Sequence, residues 1–134
     1  MIIFATGIHG SGRISYLREL AYNYENFNII DIEEELIKLC SEYNMRNIDI
    51  EKLYISDSPH LAQLKAIIFN NILKINEKYS GSKCNNLIIS INACLRFKKH
   101  LTKAFNTRYI DLLRPDLYIT IIDSAHHIRA RLER

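Results

Sequence analysis

Short apolar runs alternate along the chain with stretches in which apolar residues recur every three or four positions. Four short runs that are mostly apolar have the length of buried parallel strands, at 2–5, 27–32, 87–91 and 117–122. Helical spacing lies between and after them, at 15–24, at 33–43, from about 57 to 79, and from 123 or 124 to the chain end. This alternation predicts one three-layer α/β/α domain over residues 1–134, built on a parallel sheet of about four strands.

Right-handed crossovers would bring the residues that follow each strand to one edge of the sheet. In open α/β sheets, ligands bind at the carboxyl ends of the strands. The segments to examine for chemistry are therefore the loop from Gly7 onward, residues 31–35, residues 90–96 and residues 123–126.

The first of these segments reads GIHGSGRIS and has the outline of a phosphate-binding loop between a strand and a helix. Glycines at such a junction let successive backbone N–H groups point into one concavity, at the positive end of a helix. We predict nucleotide or other phosphate binding here, with ATP or another nucleotide as the ligand. The alternative is a glycine turn without a ligand. The predicted binding residues are Gly7, His9, Gly10, Ser11, Gly12, Arg13, Ile14 and Ser15.

Two positions of the loop depart from the motif G-x-x-x-x-G-K-[ST]. Arg13 occupies the lysine position, and its forked guanidinium is not equivalent to an ammonium group. Ile14 replaces the hydroxyl residue that would bind Mg²⁺. Ser15 lies one residue later, where a helical step turns it about 100° away. These changes argue against a tight Mg²⁺ site and against efficient phosphoryl transfer.

Three longer segments carry a family resemblance: IIDIEEELIKLC, LIISINACLR and RPDLYITIIDSAHHIRARLER. In register and pattern the chain resembles the P-loop nucleoside monophosphate kinases, most closely the archaeal-type adenylate kinases. Asn92-Ala93 occupies the position of the family's His-Ala-like turn, and Arg96 occupies that of the arginine that follows the turn. Pro115 matches the break before the family's next strand. The resemblance implies the strand order 2-3-1-4 and transfer of the γ-phosphoryl group of ATP to a nucleoside monophosphate.

The resemblance also implies roles for individual arginines. Arg46 and Arg96 would bind the acceptor monophosphate as substrate-binding residues. Arg13, Arg129 and Arg131 would act on the transferred group as catalytic residues, the last two from the start of a lid. Ser90 stands where the family has an acidic residue, which again argues against a tight Mg²⁺ site. The pattern ends at Arg134, without the family's last strand and closing helix.

Charge and composition fit an intracellular binding protein. Residues 1–67 hold 6 Lys/Arg and 10 Asp/Glu, a balance of −4, whereas residues 68–134 hold 12 and 5, a balance of +7, which together give the net charge of +3. A basic second half suggests an anionic ligand, although a solvated face explains it equally well. The three cysteines have no CxxC spacing, and the short apolar start lacks the features of a signal peptide, so we expect a cytoplasmic location.

The sequence thus predicts a nucleotide-binding protein of the nucleoside monophosphate kinase type with weak or lost activity. The alternative is an inactive nucleotide- or anion-binding module that acts through a protein partner or a further domain. Neither nucleic acid nor a membrane is expected as a partner.

For His126-His127, a helix start is favoured over a metal site, because adjacent helical residues point about 100° apart. For 33–35, an acidic first turn is favoured over contact with a ligand or metal.

Overall fold

The computed structural model describes residues 1–24, 26–43, 59–79, 86–97 and 100–133. Eleven elements follow one another along the described chain. In chain order they are β1 (Ile2–Gly7), α1 (Arg13–Asn23), β2 (Phe27–Asp31), α2 (Ile32–Glu42), α3 (Pro59–Tyr79), β3 (Asn86–Asn92), β4 (Cys94–Phe97), β5 (His100–Lys103), α4 (Thr107–Leu113), β6 (Leu117–Ile121) and α5 (Ala125–Leu132).

The main sheet is parallel throughout and has the order β2-β3-β1-β6. The predicted fold class and strand order are therefore confirmed, with β6 as the fourth strand of the sheet. Asn92, Gly7 and Ile121 lie at one level across β3, β1 and β6, and Asp31 of β2 pairs with Ser90, two residues before Asn92 on β3. The polar residues at the strand ends thus meet at one edge.

Apolar side chains cover the two faces of this sheet in separate clusters. The larger cluster joins Phe4 and Ile89 of the sheet to α2, α3 and α4. The smaller one joins Ile3, Ala5 and Ile88 to Leu17 of α1. Because neighbouring strand residues point to opposite faces, the run 2–5 supplies both clusters, and the domain has three layers.

The segment between β3 and β6 contains structure that the apolar pattern did not predict. An antiparallel hairpin pairs β4 with β5, and the seven-residue helix α4 follows. Strands of four residues and one short helix carry too few positions for a period to emerge. No helix in the described ranges has the length and apolarity needed to cross a membrane.

Candidate functional site

The loop between β1 and α1 depends on all three of its glycines. Gly10 and Gly12 have φ values of 82° and 78°, in the left-handed region that favours glycine. At Gly7 a Cβ atom would lie 2.7 Å from Ser11 Oγ and 2.9 Å from the carbonyl oxygen of Ile121. A hydrogen bond of 3.1 Å from Ser11 N to Ile8 O closes the turn. The chain thus follows the predicted strand–loop–helix path.

The loop leads directly into α1 without a side-chain cap. Gly12 is the N-cap residue and offers no side chain to the first N–H groups of the helix. Ser11 is 5% exposed, and within the described chain its Oγ is buried without a hydrogen-bond partner. Uncapped N–H groups beside an unsatisfied hydroxyl are the donors that an anion would engage.

Arg13 points into the protein and not toward the open side of the loop. Its side chain is 6% exposed and lies against the ends of β2 and β3. Nε donates to Ser90 Oγ at 2.8 Å, NH1 donates to Asn92 Oδ1, and NH2 lies 3.2 Å from Asp31 Oδ2. We call Arg13, Asp31, Ser90 and Asn92 the inner network. Each nitrogen of the guanidinium has a partner within it.

The Asp31 carboxylate accepts hydrogen bonds both from the start of α2 and from side chains of the inner network. Its Oδ1 accepts from the backbone N–H groups of Glu33 and Glu34, which caps α2. Its Oδ2 accepts from Ser90 Oγ at 2.7 Å and from Arg13. Both oxygens of this buried carboxylate are therefore engaged.

Glu33 lies at the edge of the inner network. It accepts a hydrogen bond from Asn92 Nδ2, and one of its oxygens is 3.8 Å from Arg13 NH2. Burial and the nearby Asp31 raise the pKa of Glu33, while Arg13, His9 and Asn92 oppose the change. On α3, burial lowers the pKa of Lys65 to about 8, although Glu33 favours its charged form. Lys65 Nζ donates to Ala104 O at 2.7 Å.

A second cation lies on the opposite, solvent-facing side of the loop. Arg131 of α5 donates through NH1 to Gly10 O at 2.9 Å and to Asp123 Oδ2 at 2.7 Å. Its guanidinium carbon would be 3.6 Å from a Cβ placed on Gly12. His127 Nδ1 lies 3.0 Å from Asp123 Oδ1. We call Asp123, His127 and Arg131 the outer cluster. Hydrogen bonds from His127, Ser124 N and Arg131 lower the pKa of Asp123 to about 2.

The structure brings together only some of the residues predicted for the site. The loop residues and Arg131 meet at one edge, whereas Arg13 is turned away from the loop's open side. Arg129 pairs with Glu133 at 2.6 Å on the exposed surface of α5. Arg96 lies on β4 opposite Leu101, and Arg46 lies outside the described residues. The roles given to these residues stay predictions.

At positions 14 and 90 the structure shows no side-chain oxygen that is free of other hydrogen bonds. Ile14 has no side-chain oxygen, and Ser90 Oγ is engaged by Asp31 and Arg13. Within the described ranges, no group of three or more His, Cys, Asp or Glu residues could hold a metal ion. The exposed His9 of the loop therefore belongs to no such cluster of metal ligands among the described residues.

Sequence reasoning missed Asp31, Asn92 and Asp123 as organising residues. Each was marked by its position at the carboxyl end of a predicted strand. In addition, Asp31 lies two residues before the predicted helix 33–43, and the structure starts α2 at Ile32, which makes Asp31 its N-cap residue. Lys65 gave no such signal, because it lies within a long helix.

Comparison with solved structures identifies the fold. An unliganded sugar kinase from Janibacter sp. HTCC2649 aligns with 99% of this chain at 14% identity and a TM-score of 0.57. Chains of the Pnkp1/Rnl/Hen1 RNA repair complex align with 97% and 98% of it, at 12% and 11% identity and a TM-score of 0.59. The chain shares the three-layer α/β/α fold of these structures, and these likenesses show no more than the fold.

The chain spans 66% of the length of that sugar kinase and 38% and 36% of the RNA repair chains. No protein-family model matches the sequence, and no curated protein matches it either.

Proposed function

We propose that this protein binds a nucleotide through the loop 7–15, and that it holds the phosphate without the groups needed for rapid phosphoryl transfer. The observation that carries the proposal is the N-terminus of α1, which follows two left-handed glycines and has no side-chain cap. Beside it lies the buried Ser11 Oγ, which has no hydrogen-bond partner among the described residues. A phosphate oxygen would satisfy these donors.

The cation for the phosphate would be Arg131 and not Arg13. Arg131 lies over Gly10 and Gly12 on the open side of the loop, where a small movement away from Asp123 would bring it to a phosphate. Arg13 could reach the phosphate only by leaving Asp31, Ser90 and Asn92, which would leave buried polar groups unpaired.

The finer assignment follows the adenylate kinase resemblance. The donor would be ATP or another nucleotide, the acceptor a nucleoside monophosphate, and Arg46 and Arg96 would bind the acceptor phosphate. Phosphoryl transfer depends on positioning and on charge neutralisation by metal and cations. An inward Arg13, together with Ile14 and Ser90 at positions important for the metal, supports weak or absent transfer and a mainly binding role.

The test is a thermal unfolding screen with pyrophosphate, ADP and ATP, each with Mg²⁺ and with a chelator. A ligand at a hundred times its Kd stabilises the fold by about 2.7 kcal/mol, which raises Tm by several degrees. We expect such increases for pyrophosphate and for both nucleotides, and we expect them to persist in the chelator.

The matched variants are Ser15→Asp and Ser41→Asp. Both serines are exposed helical residues, but only Ser15 lies in the first turn of α1. The carboxylate at position 15 suits the helix dipole and repels a phosphate, so it should abolish the ligand effect while the fold persists. Ser41→Asp should retain the effect. If none of the three ligands changes Tm of the unmodified protein, the proposal is wrong.

A further inference from the structure

A groove runs from the loop along α1. It has a cavity volume of about 560 Å³, within the range of small-molecule sites, and lies between one face of α1 and the carboxyl end of β6. Ser15, Tyr16 and Glu19 line it from α1, Thr120 and Ile122 from β6 and the residue after it, and Arg131 from α5. We call this cavity the α1–β6 groove.

The groove has a direction that helix geometry sets. Gly12, Ser15, Tyr16 and Glu19 are separated by three, four and seven residues, so they lie along one helical face. At a rise of 1.5 Å per residue, Glu19 is about 10 Å from Gly12 along the axis. The groove therefore begins at the proposed phosphate position and extends about 10 Å from it.

Its two ends differ in charge. Arg131 lies at the loop end, where it donates to Gly10 O and lines the groove together with Ser11. Glu19 lies at the far end, and within the described chain no hydrogen bond or ion pair engages its carboxylate. Tyr16 lies between them, and 52% of the residue is exposed. A ligand that fits has an anionic end, a flat apolar middle and a far edge that carries hydrogen-bond donors.

We infer that the α1–β6 groove binds the nucleoside half of the nucleotide and prefers guanine over adenine. This inference rests on the proposed function, because the phosphate must lie in the loop. Tyr16 supplies a ring on which a base stacks. Glu19 offers two acceptor oxygens on one carboxylate. Guanine presents two adjacent donors, N1–H and the amino group at C2, whereas adenine presents one donor beside an acceptor nitrogen.

Isothermal titration with pyrophosphate, GDP and ADP tests the inference. We expect GDP to bind roughly tenfold more tightly than ADP, which is the scale of one good bidentate base contact. Pyrophosphate should bind more weakly than either nucleotide. Tyr16→Ala should weaken both nucleotides by about tenfold without changing the affinity for pyrophosphate, and Glu19→Gln should reduce the preference for GDP over ADP to about twofold or less.

Tyr22→Ala and Glu42→Gln are the matched controls, since both residues are exposed helical residues outside the groove. They should leave all three affinities unchanged. If ADP and GDP bind with equal affinity, or if the Tyr16 and Glu19 variants behave like the controls, the inference is wrong while pyrophosphate binding still supports the loop. If pyrophosphate also fails to bind, the proposed function falls together with the inference.

Discussion

The inner network and the outer cluster each place an arginine beside an aspartate at the same edge of the sheet, yet their surroundings are opposite. Arg13 and Asp31 have side chains that are 6% and 5% exposed, whereas those of Arg131 and Asp123 are 44% and 21% exposed. The buried pair is surrounded by further hydrogen bonds that fix its geometry. The exposed pair has solvent available to replace either partner. Burial therefore decides which arginine belongs to the fold and which can serve a ligand.

This contrast also explains the exchange at the lysine position of the loop. An arginine has five N–H donors in a planar fork, and the inner network provides acceptors from β2 and β3 in suitable directions. A lysine has no Nε to donate to Ser90 while its end group binds Asp31. The inward network is thus specific to arginine.

The largest expected effect comes from breaking the inner pair. Asp31→Ala removes the cap of α2 and leaves Arg13 buried without its counter-charge, and we expect a loss of about 3–5 kcal/mol in the free energy of unfolding. Denaturant unfolding monitored by circular dichroism measures it. Asp123→Ala is the matched change in the outer cluster and should leave the unfolding midpoint nearly unchanged. Equal losses in the two variants would contradict the contrast.

A smaller effect concerns pH and Lys65, which lies near the inner side of the site. Its pKa falls from 10.5 to about 8 on folding, chiefly through burial. Between these values the unfolded chain binds more protons at Lys65 than the folded chain does, so stability should rise as pH increases from about 8 to about 10.5.

We expect this rise to amount to roughly 1 kcal/mol, because partial exposure reduces the effect. Lys65→Met should remove it, and the difference between the two pH profiles isolates this residue from other groups. Lys38→Met is the control, since Lys38 is an exposed lysine of α2 paired with Glu35. Parallel profiles for the unmodified protein and Lys65→Met would disprove the assignment.

Most of the fold could be predicted from the sequence because its main signals are local. The run 2–5 is wholly apolar and the run 87–91 has Ser90 as its one polar residue, a composition that suits buried parallel strands. The order of the sheet followed the family resemblance. The glycines at 7, 10 and 12 predicted the loop. In the structure Gly10 and Gly12 have positive φ, and Gly7 has no room for a Cβ atom. The hairpin of β4 and β5 escaped prediction because each strand has only four residues.

The direction of Arg13 could not be read from its neighbours in sequence. Its partners lie 18, 77 and 79 residues away, and only the assembled sheet brings Asp31, Ser90 and Asn92 together. A cation at the lysine position of a phosphate loop is naturally interpreted as a phosphate ligand. Asp31 did carry a local signal as an N-cap residue, which the acidic residues after it obscured.

The most direct test of the central claim compares Arg13→Gln with Arg131→Gln, since both changes remove one positive charge and keep a hydrogen-bond donor. Tm and the affinity for pyrophosphate are measured for each variant. We expect Arg13→Gln to lower Tm clearly while the affinity stays within about twofold, and Arg131→Gln to preserve Tm while the affinity falls by about tenfold. The reverse result, with affinity lost in Arg13→Gln and retained in Arg131→Gln, would contradict the assignment of Arg13 to the fold and Arg131 to the phosphate.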